Sequence, residues 1–152
     1  MMTRNSQNQL TATSILETLN ELSQKLRGDT HKRIVLLVGG SVLALNGLRD
    51  MTEDIDSISH FDEKLSQAIH DVGASLGLSR NWFNNRSRAF APDCLDQGKC
   101  EVVIDSPGLQ VLSLSLEDIF VMKINAARDR DISDLITMWP HVSFETPAEV
   151  VK

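Results

Sequence analysis

Hydrophobic and polar positions follow helical and strand periods along the chain, and together they predict a mixed α/β fold. Apolar residues recur at helical spacing over residues 13–27 and 61–76, and two further helices are predicted over 115–128 and 132–139. Apolar runs and turn signals predict strands over residues 34–38, 54–56, 100–104 and 110–114. The expected architecture is a small mixed sheet flanked by helices, of the α/β (α+β) class.

The first predicted strand leads into a glycine turn. Residues 34–38 form a continuous apolar run typical of a strand buried on both faces, and Gly39, Gly40 and Ser41 follow it directly. A short helix is expected next, ending near the Asn-Gly turn at residues 46–47. Backbone N–H groups at such a strand-to-helix turn can bind phosphate oxygens. A tight turn with Ser41 as the helix cap explains the same residues without a ligand. The turn matches neither a P-loop nor a dinucleotide-binding pattern.

Two acidic residues occupy the next predicted strand. Asp54 and Asp56 are two residues apart, so both carboxylates point to one face of the strand while Ile55 points into the core. Neighbouring carboxylates repel each other unless a cation or a shared proton offsets their charge. Mg²⁺ fits this role, since it prefers a few oxygen ligands supplemented by substrate phosphates. Solvated residues at a strand end are the alternative interpretation.

Composition restricts the protein class more than the function. The chain has 152 residues, 41% of them hydrophobic and 24% charged, which is typical of one globular domain. We expect a disordered lead-in over residues 1–11 and one domain over residues 12–152. No apolar run approaches a membrane span and the N-terminus lacks a signal-peptide core, so a cytoplasmic protein is expected. Cys94 and Cys100 lack metal-site spacing and are interpreted as reduced thiols.

The net charge of −6 argues against broad electrostatic binding of nucleic acid, although it leaves room for a local basic patch. The densest positive charge falls in the polar stretch that contains Arg80, Arg86 and Arg88, which we interpret as a loop or short helix.

The glycine turn at residues 39–41 and the Asp-Ile-Asp sequence at residues 54–56 resemble the motifs of the nucleotidyltransferase superfamily, which includes DNA polymerase beta and the minimal nucleotidyltransferases. Their pattern is a glycine followed by glycine or serine at the start of a helix, then Asp-x-Asp on a strand a short interval later. The stretch LSLEDIFVMKINAARDRDISDL, residues 114–135, and the segment at residues 76–82 resemble small bacterial relatives of the AbiE-type toxins. The resemblance covers residues 12–140 approximately.

This resemblance implies roles for the motif residues. Asp54 and Asp56 would hold two Mg²⁺ ions, while Gly39, Gly40 and Ser41 would position the phosphates of an NTP. The superfamily uses a third carboxylate on a later strand as a general base and metal ligand. Here the candidate is Asp105, and the alternative is Glu101 on the same strand and face.

Several charged residues outside these motifs are further candidates. Lys123 sits on an otherwise apolar helix face, so it must extend to solvent, pair with a carboxylate or serve a site. As a site residue it would bind phosphate or pair with the aspartates at 54 and 56. Arg49 and Arg128 could bind the triphosphate or could form ordinary surface ion pairs. Asp131 and Asp134 could reach the same cleft, although Asp131 could equally cap the last helix.

The expected activity is transfer of a nucleoside monophosphate from an NTP to a hydroxyl. The acceptor could be tRNA, a partner protein or a small molecule such as an aminoglycoside. The likeness to toxin proteins adds an expected role in a toxin–antitoxin or phage-defence system, with a cognate antitoxin as a possible partner. The alternatives are an inactive nucleotidyltransferase fold that binds a nucleotide or a partner, and a purely structural subunit.

Overall fold

The sheet has five strands, and its central strand is the one that leads into the glycine turn. The computed structural model describes residues 9–91, 95, 97–126 and 128–143. Within these ranges the strand order is β3-β2-β1-β5-β4, with β1 parallel to β5 and antiparallel to β2, β2 parallel to β3, and β4 antiparallel to β5. The strands are β1 (Arg33–Val38), β2 (Ile55–Ser57), β3 (Phe83–Asn84), β4 (Glu101–Ser106) and β5 (Leu109–Ser113).

An α-helix precedes each of β1, β2 and β3, and two α-helices follow β5, so the predicted mixed α/β class is confirmed. The α-helices are α1 (Ala12–Lys25), α2 (Gly40–Leu45), α3 (Glu63–Leu76), α4 (Leu116–Ala126) and α5 (Ile132–Met138). Short 3₁₀ segments span Arg86–Phe90, Gln97–Lys99, Asp129–Asp131 and Trp139–His141. None of the helices in the described ranges has the length and apolarity needed to cross a membrane.

Local signals in the sequence placed most element boundaries within a few residues. Asp62 caps α3 as predicted, because its carboxylate accepts a hydrogen bond from the Leu65 N–H at 2.8 Å. Thr11 caps α1 through a reciprocal capping box with Ser14. Leu10 falls within the predicted disordered lead-in, yet it is buried and exchanges two backbone hydrogen bonds with Thr52. Residues 1–8 of that lead-in, the C-terminal residues 144–152 and Cys94 lie outside the described ranges.

The structure explains a glycine inside α3 and reveals a strand that the sequence did not predict. A Cβ atom on Gly73 would lie 2.7 Å from Nε1 of Trp82, so the glycine makes room for the indole ring. That ring is buried and donates a hydrogen bond to the Ile69 carbonyl at 2.9 Å. Its burial anchors the chain just before β3, a two-residue strand in a stretch that was predicted as a loop or short helix.

The register of the sheet decides which side chains face the core. Val35 and Leu37 of β1 share one face with Val111 of β5, and all three side chains are fully buried. Apolar side chains of α1 and α3 belong to the same core. Asp56 pairs with Val38, on the opposite face of the sheet. The alternation predicted for β2 is therefore confirmed, with Ile55 in the core and Asp56 on the other face.

An ion cluster fixes the start of β1. Arg33 is buried and contacts two carboxylates, with Nη1 2.9 Å from Asp29 Oδ2 and Nε 2.7 Å from Asp62 Oδ2. Lys64 lies 3.4 Å from the same oxygen of Asp29. The cluster joins β1 to the N-terminus of α3 and so fixes the direction in which β1 enters the glycine turn.

This cluster predicts a pH-dependent contribution to stability. A hydrogen bond from the His31 N–H and the contact with Arg33 lower the pKa of Asp29 from 3.8 to about 2. A carboxylate with a lowered pKa in the folded state stabilises that state above its unfolded pKa, and the contribution disappears as the pH falls toward 2. Asp29→Asn should therefore lower the free energy of unfolding at pH 7, and its difference from the wild type should shrink between pH 4 and pH 2.

Urea unfolding followed by circular dichroism across this pH range would measure the difference. Asp71→Asn, at an exposed carboxylate on α3, is the control. A deficit for Asp29→Asn that stays constant down to pH 2 would contradict the assigned cause.

Candidate functional site

A cleft of about 690 Å³ opens at the carboxyl end of β1. The glycine turn forms its base, β2 and the segment that precedes β2 form one side, and Arg86–Phe90, α4 and α5 form the remainder. The cleft lining contains as many basic as acidic residues, whereas the whole chain has a net charge of −6. The charged residues that line it are Arg49, Glu53, Asp54, Asp56, Arg86, Lys123, Arg128, Arg130, Asp131 and Asp134.

Two glycines are required at the base of the cleft. Gly39 has φ of +75°, and a Cβ atom there would lie 2.6 Å from Asp56 Oδ2. A Cβ atom on Gly40 would collide with the guanidinium of Arg49 and would lie 2.9 Å from the hydroxyl oxygen of Thr52. The backbone at the start of α2 is therefore in close contact with one predicted metal-binding carboxylate and one predicted phosphate-binding arginine.

Ser41 does not contribute its hydroxyl to the cleft. The side chain is fully buried and donates a hydrogen bond to the Val38 carbonyl at 3.1 Å. This hydroxyl neither lines the cleft nor caps α2, whose N-cap is Gly39. The predicted role of Ser41 is thus limited to its backbone N–H, one of the first N–H groups of the helix, which have no intrahelical acceptor.

Asp54 and Asp56 both line the cleft, as their spacing predicts. Partial burial of Asp54 and the nearby charge of Asp56 raise the pKa of Asp54 above its usual value. The raised pKa shows that this environment disfavours negative charge unless a cation is present. In the described part of the chain the cation beside this pair is Arg86, whose Nη2 lies 3.3 Å from Asp54 Oδ2.

Lys123 lies between the carboxylates of Asp131 and Asp134. It is 7% exposed, and its Nζ lies 3.1 Å from both Asp131 Oδ1 and Asp134 Oδ2. Lys123 lines the cleft, but the expected pairing with the aspartates at 54 and 56 is not observed, and its role in phosphate binding stays a prediction. Asp131 stands at the N-cap position of α5 without a capping hydrogen bond, because its carboxylate faces Lys123 and Arg128.

Arg49 and Arg128 extend this group into a five-residue ion network. Arg49 Nη2 lies 2.5 Å from Asp134 Oδ2, and Arg128 Nε lies 2.7 Å from Asp131 Oδ2. Burial opposes the charge on Asp131, but hydrogen bonds from Arg128 and Lys123 outweigh it and lower the pKa of that carboxyl. The network favours the ionised form of Asp131 and holds three cations on one side of the cleft.

Asp105 is not part of the cleft, which corrects its predicted role as base and metal ligand. Asp105 pairs with Gln110 of β5, and Gln110 pairs with Ile34 of β1. Ile34 lies four residues before Val38, which is the β1 residue that pairs with Asp56. Strand rise and the spacing of three strands put Asp105 roughly 20 Å from Asp56. Its carboxylate instead forms an exposed ion pair with Lys32.

Glu101, the alternative, also lies away from the cleft lining. Glu101 pairs with Ser113 of β5, and Ser113 pairs with Leu37 of β1. Asp56 pairs with Val38, the next residue of β1, so Glu101 and Asp56 lie on opposite faces of the sheet. A register shift between Val102 and Ile104 puts Glu101 and Asp105 on opposite faces, although strict alternation predicted a shared one. Within the described residues, no group of three or more His, Cys, Asp or Glu side chains comes together as a metal site.

Asp105→Asn should consequently leave any nucleotide transfer within about twofold of the wild-type rate, because exposed charges beyond about 10 Å are largely screened at physiological salt. Initial rates of label transfer from an NTP at matched protein concentration would measure this. A loss comparable to that of a cleft variant would restore Asp105 as a catalytic candidate.

Several cleft residues were missed by sequence reasoning. Arg86 and Phe90 come from the 3₁₀ segment after β3, and Met51 and Thr52 come from the loop before β2. The arginine density around Arg86 was visible in the sequence, but no local signal placed it beside an aspartate 32 positions earlier in the chain.

The central strand, the glycine turn, Asp56 on the adjacent strand and Asp54 just before it match the class of nucleotidyltransferase folds. A family model described as "Nucleotidyltransferase of unknown function (DUF6036)" matches residues 14–144, and the chain belongs to that family. No curated protein and no solved structure matches the chain. The superfamily expected from the motifs is thereby confirmed, while the closer kinship to AbiE-type toxins stays a prediction.

Proposed function

We propose that the protein is a Mg²⁺-dependent nucleotidyltransferase that transfers a nucleoside monophosphate from an NTP to a hydroxyl acceptor. The observation that carries this proposal is the close approach at the base of the cleft. Gly39 leaves no space for a side chain beside the Asp56 carboxylate, so the helix start and the carboxylate pair face the same volume. Phosphate-binding N–H groups and metal-binding oxygens are needed together in this reaction.

Two carboxylates fit a magnesium site that substrate oxygens complete. Asp54 and Asp56 would hold the ion, and the raised pKa of Asp54 supports a cation there because nearby positive charge offsets the penalties of burial and repulsion. When bound, Mg²⁺ neutralises developing charge on the phosphates and orients them. The motif resemblance leads us to expect two ions.

The remaining cleft residues bind and orient the nucleotide. Backbone N–H groups of Gly40 and Ser41 would contact the β- and γ-phosphates, and Arg49, Lys123 and Arg128 would face their charge. In the reaction, the acceptor oxygen bonds to the α-phosphorus and the bond from that phosphorus to the bridging oxygen breaks. Pyrophosphate leaves, and the acceptor's proton passes to solvent. Positioning and charge stabilisation suffice for such a transfer, without a nucleophilic side chain.

The acceptor class follows from analogy. Relatives of the AbiE type suggest a toxin–antitoxin or defence role, with tRNA, a protein or a small molecule as acceptor and an antitoxin as partner. The overall charge of −6 argues against extensive nucleic-acid contact.

A second candidate function is an inactive fold that binds a nucleotide or a partner protein. The observation that favours it is the position of Asp105 and Glu101, neither of which supplies a third carboxylate to the cleft. Thermal shift with Mg²⁺ and each NTP would detect such binding, and its dependence on Asp54 and Asp56 would locate it. Binding without turnover would favour this alternative.

The deciding experiment is incubation of the purified protein with Mg²⁺ and each α-labelled NTP, together with bulk tRNA or cell lysate. Label on a macromolecule or small acceptor, absent with the Asp54→Ala/Asp56→Ala variant, would establish the activity and the acceptor class. Detectable NTP binding without any label would instead support the inactive fold, and the absence of both would support a structural subunit.

A further inference from the structure

Arg86 occupies the position from which it can neutralise the carboxylate pair. It lines the cleft at the start of the 3₁₀ segment Arg86–Phe90, with its Nη2 3.3 Å from Asp54 Oδ2. The guanidinium contacts the carboxylate at which we propose that a divalent cation binds. Because both groups bind carboxylate oxygens, the guanidinium and the divalent cation would compete for Asp54.

Asn84 anchors the arginine at this position. Its Oδ1 accepts hydrogen bonds from the backbone N–H of Arg86 at 3.2 Å and from Nε at 3.3 Å. Asn84 is also the β3 residue that pairs with Asp56 of β2. Sheet register therefore sets the distance between Arg86 and the carboxylate pair.

Two long contacts hold the Arg86 guanidinium, at 3.3 Å from Asp54 Oδ2 and at 3.3 Å from Asn84 Oδ1, so little must be broken to move it. The Arg86 side chain is 67% exposed, so its guanidinium can leave Asp54 without disturbing the core. Other cleft cations are held differently, since Lys123 is nearly buried between two carboxylates. Arginine also presents a planar set of donors that matches phosphate oxygens.

We propose that Arg86 shields the Asp54–Asp56 pair before a metal binds, is displaced by the divalent cation, and then contacts the phosphates of the nucleotide. This inference rests on the proposed function. It gives Arg86 two successive partners, first the carboxylate of Asp54 and then the phosphates of the nucleotide. Arg86 weakens binding of the metal alone and strengthens binding of the metal–nucleotide complex. A residue that only maintained the fold would shift both affinities in the same direction.

Arg86→Gln should raise the affinity for Mn²⁺, used as a spectroscopic substitute for Mg²⁺, by about two- to fivefold, the range expected when one exposed ion pair stops competing. Electron paramagnetic resonance of free Mn²⁺, with the full chain at low ionic strength, measures this. Arg88→Gln is the matched control, because it removes the same charge from the same 3₁₀ segment at a residue outside the cleft lining.

The second measurement is binding of a non-hydrolysable NTP analogue at saturating Mn²⁺. Here Arg86→Gln should bind at least about threefold more weakly than the wild type, because a charged contact to phosphate is lost. Arg88→Gln should match the wild type in both measurements. Tighter Mn²⁺ binding together with weaker binding of the NTP analogue would show that Arg86 contacts first Asp54 and then the phosphates.

The outcomes separate this inference from the proposed function. Equal Mn²⁺ affinity in wild type, Arg86→Gln and Arg88→Gln, with binding lost in Asp54→Asn, would overturn the shielding role and leave the metal site intact. Mn²⁺ binding that does not depend on Asp54 would overturn both. Stronger Mn²⁺ binding by Arg86→Gln with unchanged nucleotide affinity would refute the transfer of Arg86 to phosphate.

Discussion

Asp54→Asn should lower the rate of nucleotide transfer by at least about a hundredfold, the scale on which one preorganised electrostatic contact contributes to a transition state. The amide keeps the size of the side chain but loses the negative charge that attracts a divalent cation. Single-turnover rates with labelled NTP and the identified acceptor would measure the loss. Asp50→Asn, at an exposed aspartate on the loop before β2 and outside the cleft lining, should retain the wild-type rate.

The same variant should remain folded and should be at least as stable as the wild type at neutral pH. Burial and the charge of Asp56 raise the pKa of Asp54, so the ionised carboxyl destabilises the folded state at pH values above that pKa. The stability advantage of the amide should shrink as the pH falls, since the wild-type carboxyl then becomes protonated. Loss of activity together with unfolding would show that Asp54 has a structural role, and full activity would rule out the proposed mechanism.

Lys123→Met should lower the free energy of unfolding by about 3 kcal/mol, the lower end of the range for breaking a buried ion pair. The substitution preserves the apolar length of the side chain but removes the charge between Asp131 and Asp134, both of which are poorly solvated. Arg49 and Arg128 still contact these carboxylates, which limits the loss. Urea unfolding at pH 7 would measure it.

Two further variants test whether the stability loss comes from the buried contacts of Lys123 or would follow from breaking any ion pair. Lys32→Met breaks an exposed pair with Asp105 and should cost no more than about 1 kcal/mol. Combining Asp134→Asn with Lys123→Met should cost less than the sum of the two single losses, because both substitutions remove the same contact. Equal losses for Lys123→Met and Lys32→Met would contradict the structural account of the network.

Local patterns were sufficient for the helices, for four of the five strands in the described residues and for part of the site. The apolar run of β1, the glycine turn and the Asp-x-Asp alternation depend on neighbours a few residues away, so they appear directly in the sequence. Asp62 as a cap and Lys123 on an apolar helix face are equally local features. These signals predicted the mixed sheet and the two aspartates at the cleft, while the nucleotidyltransferase class came from the resemblance of the motifs to that superfamily.

Tertiary structure decided the partners of these residues, because strand register and bulges join distant parts of the chain. The strand order and the pairing of Asp105 with Gln110 put Asp105 far from Asp56, whereas the resemblance to the superfamily implied a third carboxylate at the site. The two-residue strand β3 depends on pairing with β2 and brings Arg86 to Asp54. Sequence determined which groups this protein has for phosphate and metal chemistry, while the packing of distant segments decided which of them meet.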